Sequence, residues 1–240
     1  MQATRQAFDA ELLDLKQQLV RMGAFVESML DHAIQALADQ DVNLARQVVV
    51  DDDIADDMDL EIEKRCMRLL ALQQPMARDL RTIGTVLKVI ADVERMGDYS
   101  VDIAKAALVL AGTEYFTELV DIPRMARSVA EMLRQALQAL VSEDLELVQQ
   151  VIEADDRVDR MWYALLEQIM TVMQERPEVV RQAAQLLLVA RYLERIADHV
   201  VNIAERVAYM KTGRLEALAA SHHPDGVRAR AAENRPPPSS

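Results

Sequence analysis

The chain has 240 residues, 51% of them apolar and 28% charged, a composition typical of a globular protein with a sizeable core. Asp and Glu number 40 against 27 Lys and Arg, so the net charge of −13 repels nucleic-acid phosphates and anionic lipids, and we expect neither as a partner. The single cysteine, the lack of a secretion signal and the lack of an apolar run near the ~20 residues that cross a bilayer predict a cytoplasmic protein without membrane insertion.

Three long helices are predicted in the first half, over about 8–39, 41–72 and 76–111. Asp41 is the predicted N-cap of the second helix, and Pro75 marks the turn into the third. Gly112 suits the C-terminal cap of the third helix, because glycine accepts the left-handed conformation there. The segment 112–121 is therefore the predicted hinge between two halves.

The helical pattern then starts again. Three further helices are predicted over about 122–141, 144–174 and 177–212. Beyond Gly213 the chain is rich in Ala, Arg and Pro, a composition that does not sustain a packed apolar stripe, so residues 214–240 are a predicted mobile tail.

An internal repeat relates the two halves. Residues of the first half recur 103 positions later: Leu30, Leu37, Asp41, Leu44, Val48, Asp52 and Asp56 are matched by Leu133, Leu140, Asp144, Leu147, Val151, Asp155 and Asp159. The offset falls to 102 at Pro75 and Pro177, and to 100 at Glu94 and Glu194. Polar identities held in register indicate duplication, and ~100 residues can bury a core. We predict an all-α fold of two tandem three-helix bundles, residues 1–112 and 113–213.

Acidic residues follow the duplication in rows with four-residue spacing. The rows are Glu94, Asp98 and Asp102 on the third helix, Glu194, Asp198 and Asn202 on the sixth, and Asp52, Asp56, Asp155 and Asp159 on the second and fifth. Roughly seven acidic pairs at this spacing arise by chance from the composition, so single pairs carry no information. The repeated rows exceed that background.

At 100° per residue the rows on the third and sixth helices lie nearly opposite the apolar seams, which predicts an outward face and disfavours a buried two-metal centre. Like charges at this spacing destabilise an isolated helix by about 0.2–0.5 kcal/mol, so the face is either solvated or binds a cation. Oxygen ligands suit Mg²⁺, Mn²⁺ or iron. Arg95 and Arg195 are predicted to orient neighbouring carboxylates, with anion binding by either as the alternative, and His199 is predicted to be a surface residue rather than a ligand.

Three segments resemble the PhoU family over about residues 8–212. Residues 74–81 read QPMARDLR and are similar to the family's Q-P-x-A-x-D-L-R turn, while residues 92–98 and 192–198 read DVERMGD and YLERIAD and are similar to its E-L-E-R-I-G-D segment. Ala197 stands where glycine is usual, which we expect to matter little on a helix. Asn202 replaces the acid found at Asp102, which removes one charge and predicts a weaker second site.

The resemblance implies a PhoU-like six-helix architecture and a cytoplasmic negative regulator of phosphate uptake. It implies partners as well: the nucleotide-binding subunit of the high-affinity phosphate ABC transporter, a phosphate-sensing histidine kinase, and a second copy in a homodimer. It also implies metal ions, iron among them, at the carboxylate rows.

Two other classes are weighed against this interpretation. A ferritin-like enzyme needs inward Glu-x-x-His pairs, but no Glu in this chain has His three residues later, and neither a Gly-rich phosphate loop nor a G-x-S-x-G turn is present, so no enzyme is predicted. A helical scaffold with solvated acidic faces and no metal remains open. No clustered arginines mark a helix N-terminus, so the sequence predicts no site for phosphate itself.

Overall fold

The computed structural model describes residues 2–73, 75–116, 119 and 121–219, with the backbone alone for 2–4, 72 and 73. Its regular elements are α1 Gln2–Asp39, α2 Val42–Gln73, α3 Ala77–Leu110, α4 Asp121–Ser142, α5 Leu145–Glu175 and α6 Val180–Thr212, with a short 3-10 turn Pro177–Val179 before α6. The predicted all-α fold, with three helices followed by three, is confirmed.

The turns before α2 and α5 have the same cap and the same backbone conformation, as expected of a duplication. Oδ1 of Asp41 accepts hydrogen bonds from two backbone N–H groups of the first turn of α2 at 2.9 and 3.1 Å. Oδ1 of Asp144 accepts one from the N–H of Glu146 at 2.8 Å. The preceding residues, Gln40 and Glu143, both have a φ of 54°. Side-chain capping satisfies N–H groups that a helix start leaves without partners, which explains why aspartate recurs at both turns.

One continuous apolar core runs through all six helices. Helices α3 and α6 lie at its centre, since they pack against each other while α3 also contacts α1 and α2, and α6 also contacts α4 and α5. Helix α1 packs on α4, which joins the two bundles at a second place. The bundles therefore share a core, and each central helix has neighbours on three sides.

The contact between α3 and α6 has approximate two-fold symmetry. Nδ1 of His199 lies 2.9 Å from Oδ1 of Asp92. The rings of Tyr99 and Tyr192 stack with centroids 5.8 Å apart. At the repeat offset of 100, Asp92 corresponds to Tyr192 and Tyr99 to His199, so the two contacts occupy equivalent places. Duplication has thus produced one polar and one aromatic version of the same helix contact.

The described part of the predicted hinge is tied to both halves. The hydroxyl of Tyr115 donates to the carbonyl of Leu37 at 2.6 Å, and the Gln40 amide donates to the carbonyl of Thr113 at 2.6 Å. On the other side, Gln182 of α6 donates to the carbonyl of Glu114 at 3.0 Å. The described residues of the connection therefore contact both the α1–α2 turn and α6, and a hinge at 112–121 stays a prediction.

Two residues near the start of the predicted tail, Leu218 and Ala219, are in contact with the helical body. The backbone N–H of Leu218 donates to Oε1 of Glu205 at 2.7 Å, and Ala219 is buried. Residues 214–218 are exposed, the mobile tail stays a prediction, and residues 220–240 lie outside the described part of the chain.

Close packing of α1 on α4 gives a first prediction. A Cβ atom on Gly23 would overlap the methyl groups of Leu137 in α4, whereas one on Gly84 would meet open space. We expect Gly23→Val to lower the free energy of unfolding by about 1–3 kcal/mol. We expect Gly84→Ala to raise it by about 0.5–1 kcal/mol, because alanine favours helix over glycine. Urea unfolding measures both; unchanged stability in Gly23→Val would show that the halves are loosely joined.

Candidate metal site between paired helices

The first acidic cluster lies between α2 and α3. Asp52 sits against Gly97, whose Cβ position would be 3.8 Å from Oδ1 of Asp52. Burial raises the pKa of Asp52, and the charges of Asp56 and Asp98 raise it further. Burial likewise raises the pKa of Glu94, and negative charge from both helices adds to the effect. The carboxylates of the two helices therefore face one another closely enough to repel.

The second cluster, between α5 and α6, is more deeply buried. Exposure is 9% for Glu194, 1% for Asp155 and 7% for Asp159. Burial, followed by the charges of Asp198 and Asp155, raises the pKa of Glu194 to about 7. Oε2 of Glu194 is buried and accepts no hydrogen bond from the described residues. An oxygen in this position is suited to accept a proton or a cation.

The predicted outward face is wrong for Glu194, which is buried. A helical wheel with one apolar seam assumes that the opposite face meets water, but α6 is covered by α3, α4 and α5. Glu194 consequently points into the α5–α6 contact, where Asp155 and Asp159 are buried as well. In the first cluster the outcome is intermediate, with Asp56 exposed and Asp52, Glu94 and Asp98 half-buried.

Arginines supply part of the missing positive charge. Nη1 of Arg95 donates to Asp98 at 2.6 Å, and Nη1 of Arg195 donates to Asp198 at 2.8 Å, so each arginine contacts a carboxylate of its own helix. Arg191, which sequence reasoning missed, donates to Oε1 of Glu194 at 2.5 Å. Its position three residues before Glu194 was the available signal, because side chains at that spacing share a helix face.

The third position of each row turns away from the cluster. Nδ2 of Asn202 donates to Oδ1 of Asp92 on α3 at 3.1 Å, and the charge of Asp102 acts on Tyr192 of α6. Four-residue steps advance by 400° around the helix, so a row drifts by about 40° at each step. His199 lies half-buried in the same α3–α6 contact, so the prediction of a surface position is wrong.

The donor set fits a hard cation in its chemistry, although the side chains are not gathered around one point. Carboxylate oxygens are the ligands that Mg²⁺, Mn²⁺ and iron accept, and the unpartnered Oε2 of Glu194 is one such donor. Within the described ranges, no three acidic, His or Cys side chains converge closely enough to hold an ion. Binding would therefore require Arg95, Arg191 and Arg195 to release the carboxylates that they now hold.

The fold and the site define an all-α protein whose duplicated bundles carry facing carboxylates on paired helices. A family model described as the PhoU domain matches residues 19–107 and 122–207. A relative from Clostridium acetobutylicum, named a phosphate-specific transport system accessory protein PhoU homolog, is 39% identical over 212 residues, 88% of this chain and 97% of the relative. A relative from Pseudomonas aeruginosa with the same name is 37% identical over 87% of this chain and 86% of the relative.

Solved structures agree with the sequence relatives. The crystal structure of PhoU from Pseudomonas aeruginosa matches with a TM-score of 0.82 and 36% identity, covering 86% of this chain and all of that one. The phosphate transport system regulatory protein PhoU from Streptococcus pneumoniae matches with a TM-score of 0.83 and 33% identity over 88% of this chain. The chain belongs to the PhoU family. Within the described part, no helix has the length and apolarity needed to cross a bilayer.

The buried Glu194 gives a prediction about pH. Its pKa is raised from 4.5 to about 7, so the folded, metal-free protein holds a proton that the unfolded chain releases in this interval. The stabilisation from protonated Glu194 is full below pH 4.5 and is lost as the pH rises through about 7. We expect Glu194→Gln to remove this decline, a difference of up to about 3 kcal/mol in urea unfolding between about pH 5 and about pH 8.

The matched control is Glu153→Gln, which replaces an exposed carboxyl on α5. This variant should show the same fall in the free energy of unfolding with rising pH as the wild-type protein. Equal pH dependence of wild type and Glu194→Gln would contradict the burial argument.

Proposed function

We propose that this protein is a cytoplasmic negative regulator of phosphate uptake that acts as an adaptor rather than as an enzyme. Its partners in this proposal are the nucleotide-binding subunit of a phosphate ABC transporter and a phosphate-sensing histidine kinase, and it works as a homodimer. Support comes from its family membership and from the names of its relatives, which are phosphate-specific transport accessory proteins. An adaptor's output is a coupling free energy between partners, for which long helical faces are suitable.

The observation that carries the proposal is the crowding of like charges between paired helices. Asp56 and Asp59 of α2 act on Glu94 of α3, and Asp155 of α5 acts on Glu194 of α6. Proteins accommodate facing carboxylates by protonation, by basic side chains or by a metal ion. The arginines form ion pairs with one helix of each pair, whereas a divalent cation would be held by both helices.

In the proposed mechanism, iron, Mn²⁺ or Mg²⁺ binds between α2 and α3 and between α5 and α6. The ligands are Asp52, Asp56, Glu94 and Asp98 in the first site and Asp155, Asp159, Glu194 and Asp198 in the second, with Asp102 and Asn202 next to them. The ion removes repulsion across each helix pair and stiffens it. Arg95 and Arg195, released from Asp98 and Asp198, become available to partner carboxylates, so that metal loading changes the docking face.

This mechanism predicts that metal binding depends on both helices of a pair. We expect added Mn²⁺ to raise the melting temperature of the wild-type protein, because a ligand that binds the folded state stabilises it. Asp56→Asn with Asp98→Asn should lower the Mn²⁺ affinity of the first site by at least about tenfold, since each substitution removes a charged ligand. Isothermal titration and elemental analysis measure the affinity and the stoichiometry.

Asp57→Asn is the matched control, because Asp57 is an exposed acid beside Asp56 and is not among the main causes of the raised pKa of Glu94 or Asp52. It should bind Mn²⁺ as the wild type does. Wild-type protein that neither binds Mn²⁺ or iron nor melts at a higher temperature with them would favour the alternative, a helical scaffold whose acidic faces are only solvated or paired with arginine.

The adaptor role predicts a phenotype in cells. A strain that lacks the protein should take up phosphate without restraint when phosphate is plentiful, and the wild-type gene should restore the restraint. Asp98→Asn with Asp198→Asn should restore it less well than Asp57→Asn at equal protein level. Unchanged uptake and kinase signalling in the strain without the protein would contradict the regulatory proposal.

A further inference from the structure

The turn between α4 and α5 places one carboxylate among cations from three other helices. Nζ of Lys16 in α1 donates to Oε1 of Glu143 at 2.9 Å, and Nη2 of Arg78 in α3 donates to Oε2 at 2.9 Å. Nζ of Lys211 in α6 lies 3.8 Å from the same Oε2. Both halves of the protein therefore contribute positive charge to this point, and a single carboxylate receives it.

A fourth cation adjoins this group. Arg81 follows Arg78 by one helical turn on α3, and its guanidinium lies 3.7 Å from the Cβ position of Gly213, two residues beyond Lys211. Its Nε is buried and finds no hydrogen-bond partner among the described residues, and no ion pair with a described acid is formed. A buried guanidinium N–H without an acceptor is costly, so the position favours an anion nearby.

The neighbouring Asp79 does not neutralise the excess of positive charge around Glu143. Asp79 next to Arg78 is paired with Arg5 at 2.5 Å, and Arg5 also pairs with Asp9. Two of the cations remain accessible, with side-chain exposures of 69% for Arg78 and 47% for Lys211. On a chain of net charge −13, three cations around one carboxylate, with Arg81 beside Gly213, form an unusually positive place.

Glu143 itself is held in an unfavourable backbone conformation. Its φ of 54° lies in the left-handed region, which side-chain-bearing residues adopt at some cost. Burial would raise the pKa of its carboxyl, but the hydrogen bonds and charges of Lys16 and Arg78 outweigh burial and lower it. The repeat equivalent, Gln40, is neutral and caps Gly112 instead, so the charged arrangement belongs to one turn only.

We propose that Lys16, Arg78, Arg81 and Lys211 form a binding site for a small doubly charged oxyanion such as hydrogen phosphate, which competes with the Glu143 carboxylate for these cations. An oxyanion carries more charge than the carboxylate and accepts hydrogen bonds on several sides, so it can satisfy Arg81 as well. Because the side chain of Lys16 is 9% exposed, a flat lipid surface does not reach it, which favours a small ion as the ligand.

The site is distinct from the carboxylate clusters and does not depend on the proposed metal. Its cations come from α1, α3 and α6, and only Arg78 and Arg81 are close in the sequence, so the spacing of residues did not reveal the group. Displacement of Glu143 would free the α4–α5 turn from α1 and α3. Oxyanion binding would thus loosen a link between the halves while filling the cation cluster.

The test is binding of inorganic phosphate by isothermal titration, with chloride at matched ionic strength as the reference. We expect saturable binding to wild type and about tenfold tighter binding to Glu143→Gln, because the competing charge is gone. Arg78→Gln and Lys211→Gln should each weaken phosphate binding severalfold in either background. Sulfate should act as phosphate does, since both are tetrahedral oxyanions.

Arg124→Gln is the control, because it removes an arginine of comparable exposure, 58% against 69% for Arg78, that pairs with Asp121 elsewhere on the surface. It should leave phosphate binding unchanged. Absence of phosphate binding beyond the effect of chloride, or phosphate binding that Arg78→Gln and Lys211→Gln leave unchanged, would overturn the proposal. If Glu143→Gln does not fold, these two surface variants in the wild-type background decide the question.

Discussion

The packing of α3 against α6 at the centre of the core determines where every acidic side chain can lie. Each of the two helices is covered on three sides, so residues outside the apolar seam meet a neighbouring helix instead of water. Glu94 and Asp98 therefore face α2, and Glu194 faces α5. This arrangement makes the carboxylates of neighbouring helices repel one another. Arginines on the same helix relieve part of this repulsion, and a cation between the two helices would relieve more of it.

Duplication has produced two clusters of unequal character. Glu194 and Asp159 are buried where their repeat equivalents, Glu94 and Asp56, are half-buried and exposed, and the uncharged Asn202 is the repeat equivalent of Asp102. A buried cluster holds protons more tightly and releases an ion more slowly, whereas an open one exchanges with solvent. The two clusters thus differ in how they hold protons, although the backbones of the two halves repeat.

Sequence reasoning predicted most of the fold because its signals are local. Asp41, Pro75 and Gly213 predict helix ends to within a residue or two, and the internal repeat predicts the second bundle. It also identified the acidic members of both clusters. It misplaced the face of Glu194, because a helical wheel does not show how many neighbours a helix has.

The remaining failures concern contacts between residues distant in the chain. In the connection between the halves, Tyr115 forms a hydrogen bond to the carbonyl of Leu37, and Glu143 accepts one from Lys16, 127 positions earlier in the chain. No spacing rule links such pairs, since tertiary packing alone brings them together. The burial of Ala219 is similar, because a composition without an apolar stripe does not exclude a short packed segment.

Anomalous X-ray diffraction from crystals soaked in Mn²⁺ tests the central claim most directly. We predict anomalous density between α2 and α3 beside Glu94 and Asp98, and between α5 and α6 beside Glu194 and Asp198. Full-occupancy density elsewhere on the molecule with none at these two places, or intact Arg95–Asp98 and Arg195–Asp198 pairs in a metal-saturated crystal, would contradict the account.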